Sequence, residues 1–372
     1  MITKGSNIRI GRVFGIPLEV SYSWFIVLIL VTVLLARQFG DNNQGWSFTQ
    51  RWGIGGITSI LFFISVLIHE LSHSLIAIKK GIPVKCITLF IFGGISQISR
   101  EAGRPPTEFI IAAVGPFSSF ILGAIFFGTH VLTKDVNSYI SEVALTLTFV
   151  NLSLGTFNML PGFPLDGGRV LRAIIWGITG NYWRATLFAT RSGQLMALFL
   201  MGGGLIMVFF GRYQGIWLAA VGWFLTIAAN SSLRHFQQRM KLSQLSAGDI
   251  MSDNYTTIGP TASLLSLTTI QSIHERQHPY FVFLDGECLG LITSEDVCRI
   301  PNALWEKTSV NDAMRTIDRM PTINHNSSAL QAIDLLDEHD FPIILVTAEQ
   351  ILMGFIDRQT VSESLDKLKV SS

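Results

Sequence analysis

Residues 52–78 read WGIGGITSILFFISVLIHELSHSLIAI. A bilayer is crossed by about twenty mostly apolar residues in a helix, and this stretch qualifies, yet it carries His69, Glu70 and His73 near its end. Histidines at i and i+4 share one helix face, the spacing at which both imidazoles reach one zinc ion. Glu70 projects to the neighbouring side, where a carboxylate can take a proton from a metal-bound water. Ionisable groups at membrane depth are costly and are rarely placed there without a role. The stretch therefore predicts both a membrane span and a hydrolytic metal centre.

Working outward, the rest of the chain agrees with the membrane reading. Of 372 residues 49% are hydrophobic and only 14% charged, with a mean hydropathy of +0.43, far more apolar than a soluble chain of this length. Charged residues become frequent only after Arg234, which predicts an embedded part at residues 1–235 and a soluble part beyond it. Spans are expected at residues 20–36, 52–78, 109–133, 143–165, 192–210 and 215–233, giving a multi-pass α-helical membrane protein of about six helices. Lys and Arg cluster in alternate connections, with Lys79, Lys80, Lys85, Arg100 and Arg104 in one and Arg169, Arg172, Arg184 and Arg191 in another. That asymmetry puts both termini in the cytoplasm and the two histidines one to two turns from the cytoplasmic end of their span. The first apolar stretch lacks a small-residue cleavage site and reads as a retained anchor. A net charge of +1 without a polybasic run argues against a nucleic-acid partner. Cys86, Cys288 and Cys298 read as unpaired thiols in a reducing compartment.

Zinc catalysis takes three protein ligands and leaves a fourth position open. The third candidate is Asp166, in the run Phe157-Asn158-Met159-Leu160-Pro161-Gly162-Phe163-Pro164-Leu165-Asp166-Gly167-Gly168-Arg169. Pro161 and Pro164 forbid a regular helix, and unwound chain at membrane depth must be buried in protein or line a wet cavity. The run is expected to end the fourth span at the depth of the histidines. A turn closing that helix would also explain Asp-Gly-Gly, but it does not explain the matched depth. Asn158 has two readings: its amide meets an oxyanion or substrate backbone, or it satisfies the broken helix near Pro161. Gly93-Gly94, between β-prone residues 86–92 and 95–99, reads as a hairpin edge able to pair with an extended substrate, or as a plain connecting turn. Gly115-Pro116 and Gly202-Gly203-Gly204 read as notches for close helix packing.

HELSH paired with Asn158-x-x-Pro161-x-x-x-x-Asp166-Gly167 resembles the site-2 protease family of intramembrane zinc metalloproteases, as do Gly15-Ile16-Pro17 before Trp24 and Phe92-Gly93-Gly94-Ile95. The resemblance covers residues 8–233. It implies that His69, His73 and Asp166 bind one zinc, that Glu70 is the general base, and that substrates are single-span membrane proteins cut in or near the bilayer, of the anti-sigma-factor or membrane-bound-regulator type. A prokaryotic cell membrane is the expected location.

Beyond the spans the chain repeats: Asp249-Ile250-Met251 returns as Asp312-Ala313-Met314, and Gly290-Leu291-Ile292-Thr293 as Gly354-Phe355-Ile356-Asp357. Each copy, at residues 243–300 and 305–365, reads as an entry segment, a helix (263–274 and 328–339), two strands and a final helix, too small to bury a core alone. The α/β pair resembles a CBS-domain pair. That resemblance implies an adenine nucleotide held by Thr293 and Asp296, and a homodimer through the pair. The second copy departs, with Asp357 where the Thr belongs and Thr360 where the Asp belongs. The competing class is a CBS-regulated transporter or channel with a structural zinc; transporters usually repeat among their spans, and none is found here.

Overall fold

The computed structural model describes residues 7–91, 93–270, 279–338, 343–349 and 351–370. Phe92 of the hairpin motif, the last turn expected of the first repeat helix, and His339 lie outside them. The chain divides into two compact units, Met1–Phe236 and Gln237–Ser372.

Among the described residues six helices are long and apolar enough to cross a bilayer, and this is an integral membrane protein. They are α1 (Tyr22–Asn42), α2 (Phe48–Lys79), α3 (Pro105–Thr133), α4 (Ser138–Asn158), α6 (Tyr182–Phe209) and α7 (Gln214–Ser243), with a further helix, α5 (Asp166–Thr179), after α4. Helix α2 starts at a capping box between Ser47 and Gln50, which satisfies two of its orphan N–H groups. The fourth span differs from the expectation of residues 143–165. Helix α4 stops at Asn158, residues 159–165 are irregular, and Asp166 opens α5 instead of closing α4. Pro161 and Pro164 are the reason, because neither can extend the ladder.

A four-stranded sheet of order β1 (Asn7–Val13), β2 (Ile16–Ser21), β3 (Val84–Phe90) and β4 (Gly93–Ile98) joins the amino terminus to the hairpin after α2. The first two strands were not anticipated. Strand β1 is mostly exposed, so it lacks the alternation that marks a half-buried strand. Strand β4 is an edge, paired with β3 alone. Among the expected glycine notches, Gly204 packs against the backbone of Ala219, but Gly202 and Gly203 have open space beside them and are not packing notches.

The second unit is α/β. Its elements are α8 (Ala247–Ile250), β5 (Thr256–Ile258), α9 (Leu264–Ile270), β6 (Tyr280–Leu284), β7 (Glu287–Ile292) and α10 (Ser294–Cys298), then α11 (Val310–Ala313), β8 (Arg315–Thr316), β9 (Thr322–Asn324), α12 (Ala329–Glu338), β10 (Ile343–Ala348), β11 (Ile351–Asp357) and α13 (Arg358–Val370). Two sheets form, ordered β5-β6-β7-β8 and β11-β10-β9. Phe281 and Leu291 of one copy pack with Ile343, Leu345 and Phe355 of the other in a single buried cluster. The two copies thus share a core besides the cluster that each buries largely by itself.

Candidate metal centre

Helix α2 carries His69 and His73 inward, each only 3% exposed. Asp166 reaches them from the first turn of α5, and its Oδ2 stands 3.1 Å from each histidine Nε2, while the two Nε2 atoms are 3.3 Å apart. Donor atoms set tetrahedrally at zinc, with bonds of about 2.0–2.1 Å, lie roughly 3.3 Å from one another. The three side chains therefore fit one zinc ion, with the fourth corner left to a reacting group. Among the described residues no other group of three His, Cys, Asp or Glu side chains gathers in this way.

The far nitrogens of both rings are held by α3. His73 Nδ1 lies 2.6 Å from the Ile111 carbonyl and His69 Nδ1 lies 2.9 Å from Ser119 Oγ. A carbonyl only accepts, so His73 must carry its proton on Nδ1, leaving the Nε2 lone pair available to a metal shared with Asp166. Between these contacts sits Gly115, where an added Cβ would stand 2.1 Å from His73 Nε2. The residue expected as a packing notch is the room in which the ring lies. Neither Ser119 nor Ile111 was singled out from the sequence. A serine in an apolar helix and a backbone carbonyl carry no signature until the partner helix is known.

The position of Asp166 depends on the irregular run before it. Phe163 N–H donates to the Ala189 carbonyl of α6 at 3.2 Å, and Ser192 Oγ donates to the Pro161 carbonyl. A Cβ on Gly162 would meet the Gly193 backbone at 2.3 Å, so run and α6 touch backbone to backbone. Asn158 donates its side-chain amide to the Leu154 carbonyl at 3.1 Å, which serves the end of α4.

Glu70 faces β4. The strand is tied to the same helix one turn on, where the Ser96 hydroxyl is bonded to Ser74 Oγ of α2 at 2.7 Å. Gly94 lies over the Glu70 stem, and Gly93 takes a φ of +126°, a conformation other residues rarely adopt. The structure thus brings His69, His73, Asp166, Glu70 and Gly94 into one neighbourhood.

In the second unit Thr293 and Asp296 form the capping box of α10. The Asp296 carboxylate also binds Arg315, with Nη2 at 2.7 Å from Oδ1 and Nε at 2.9 Å. Burial raises this carboxyl, but the hydrogen bonds from Arg315 and Thr293 outweigh it and hold the group below the usual carboxylate range. In the second copy, Thr360 N–H donates to Asp357 Oδ1 at 2.7 Å and Asp357 N–H donates to Thr360 Oγ1 at 2.9 Å. The exchange of residue types leaves a reciprocal cap intact.

Comparison with known proteins agrees with this geometry. The model of peptidase family M50 matches residues 57–201, and that of the CBS domain matches residues 247–303. The protein sll0528 of Synechocystis sp., whose name places it among zinc metalloproteases, is 33% identical over 97% of this chain and 96% of its own length. Rip3 of Mycobacterium tuberculosis, similarly named, is 31% identical over 98% of this chain and 94% of its own. Among solved structures, the site-2 protease of Methanocaldococcus jannaschii is 29% identical and covers 61% of this chain and 94% of that one, at a TM-score of 0.43.

Proposed function

Because the chain belongs to peptidase family M50, the zinc metalloproteases that include the site-2 proteases, we propose that His69, His73 and Asp166 hold its catalytic zinc and that Glu70 is its general base. The observation that carries this reading is the meeting of three ligand atoms within 3.3 Å of one another, on two separate helices, beside that carboxylate. Zinc, when bound, polarises the scissile carbonyl and brings the pKa of water to about 7. Glu70 then accepts the water's proton and returns it to the leaving amine. Gly94 of β4, packed against the Glu70 stem, supports the placement of that carboxylate.

The substrates in this reading are single-span membrane proteins, of the class of anti-sigma factors or membrane-tethered regulators. A helical substrate hides its peptide bonds in its own ladder and must be straightened before attack. The free edge of β4 supports a route, since an extended substrate segment can add to it as a fifth strand. Gly93 and Gly94 then lie against the substrate backbone, with Glu70 directly below. Asn158 is assigned to the oxyanion or to the substrate backbone, at the cost of its bond to Leu154. The enzyme sits in a prokaryotic cell membrane with both termini cytoplasmic, following the Lys and Arg asymmetry.

For the second unit we infer a regulatory pair that dimerises and takes an adenine nucleotide at Thr293 and Asp296. Such binding requires Asp296 to exchange Arg315 for ribose hydroxyls.

The decisive experiment is Glu70→Gln. Hydrolysis of a membrane substrate should fall by about 10²- to 10⁴-fold while the purified variant keeps its zinc. A variant that still cleaves at the normal rate would remove Glu70 from the chemistry.

A further inference from the structure

Arg172 is 6% exposed and lies on α5, two turns beyond Asp166. Its Nε donates to Glu108 Oε1 at 2.7 Å, its Nη2 donates to the same oxygen, and its Nη1 donates to the Tyr182 hydroxyl at 2.7 Å. Tyr182 in turn donates to Glu101, whose carboxylate stands 3.9 Å from Arg172 Nη1. The guanidinium carbon lies 4.9 Å from the ring centroids of both Phe163 and Tyr182. One side chain therefore gathers the connection after β4, the start of α3, the irregular run and the start of α6.

A buried ion pair is a weak device for stability, because desolvating both charges offsets most of their attraction. This pair is poorly built for that purpose. Both hydrogen bonds from Arg172 fall on Oε1, and the buried Oε2 of Glu108 has no partner among the described residues. What a guanidinium does and a hydrocarbon cannot is hold several groups in one plane while stacking on aromatic faces. Phe163 needs such a hold. It sits three residues before Asp166 in chain without a helical ladder, tied to its neighbours by few backbone bonds.

We propose that Arg172 is a positioning residue for Asp166: by clasping Phe163 from α5, it fixes the irregular run and so sets where the Asp166 carboxylate meets His69 and His73. The inference rests on Asp166 being a zinc ligand. Tyr182 and Glu108 complete the clasp by fixing the plane of the guanidinium.

The test uses the full chain in detergent, with zinc affinity measured by chelator competition and the ligand field by the absorption bands of the cobalt-substituted protein. Phe163→Leu keeps the ion pair and removes the ring face; Arg172→Lys keeps the charge and removes the planar fork. Both should bind zinc at least about tenfold more weakly and shift the cobalt bands, with kcat falling more than KM rises. Phe163→Tyr, which keeps the ring, should restore wild-type affinity. Should Arg172→Lys not fold, the Phe163 pair decides the question alone. Monodisperse Phe163→Leu protein with unchanged zinc affinity and cobalt spectrum would overturn the proposal. Asp166→Asn, run beside it, separates the two layers: unchanged affinity there removes the ligand assignment itself, whereas a loss there alone removes only the clasp.

Discussion

Gly94 lies directly over Glu70: a Cβ at position 94 would stand 2.5 Å from Glu70 Cγ and 3.2 Å from its Cδ. Helix α2 and the edge strand are thus in contact through the absence of a side chain. Gly94→Ala must push Glu70 aside, because β4 is held by its pairing with β3 and by the Ser74–Ser96 hydrogen bond. Cleavage should fall by about tenfold or more, equivalent to ~1.4 kcal/mol of transition-state stabilisation, with zinc content unchanged. Normal cleavage by this variant would separate Glu70 from the strand.

The ligand set makes a graded prediction. His69→Ala, His73→Ala and Asp166→Asn should each remove most zinc affinity, because a three-ligand site short of one donor is no longer closed on the protein side. Ser119→Ala should weaken binding less, by about 10- to 100-fold, since it removes only the group that orients His69. Chelator competition on the four purified variants gives the ranking, and a Ser119 variant as damaged as the ligand variants would place Ser119 on the metal.

Orientation is testable in intact cells. Single cysteines at Asn43 and Val136, in the connections that follow α1 and α3, should react with an impermeant thiol reagent. Cysteines at Gly103 and Arg239 should react only after permeabilisation. The opposite pattern would invert the protein in the membrane.

Asp296 carries the prediction for the second unit. Adenine-nucleotide binding to the full chain should be abolished by Asp296→Ala and strengthened by Arg315→Ala, because the carboxylate is then released from its internal partner. The Asp296–Arg315 pair also sets a pH dependence. The folded carboxyl is held below its ordinary value, so the pair's stabilisation is complete above an unfolded pKa of about 3.9 and is lost as pH falls through the lower folded value. Acid unfolding of the second unit should begin at higher pH in Arg315→Ala. Calorimetry showing no nucleotide binding to wild-type protein would leave Thr293 and Asp296 as a helix cap alone.

The histidines and Glu70 were legible because helical periodicity places them without knowledge of any other element. Asp166 was legible because two prolines mark unwound chain where lipid forbids it. The start of α5 was not. Residues 166–179 carry Arg169 and Arg172 and read as a charged connection, yet Arg172 is turned inward onto Glu108. Strand β1 escaped because an exposed strand has no buried face to betray it; β2 does alternate, with Ile16, Leu18 and Val20 on one side, but it is short and runs directly into the first apolar span. The Thr-to-Asp exchange between the repeats read as decay of a binding signature, whereas the backbone registers it as the same cap with donor and acceptor side chains swapped.

Helices α2 and α3 run in opposite directions past the metal centre, and their contacts keep step: His69 meets Ser119 while His73 meets Ile111 and Gly115. The three α3 positions are spaced by four, like the two histidines they serve. A single residue inserted between Ile111 and Ser119 would turn the remainder of α3 by about 100°, and one histidine would lose its support whichever way the helix settled. The lipid-facing side of α3 asks only for apolar bulk. Its length through this interval is set by the two histidines, so that α3 acts as a vernier scale against which α2 is read.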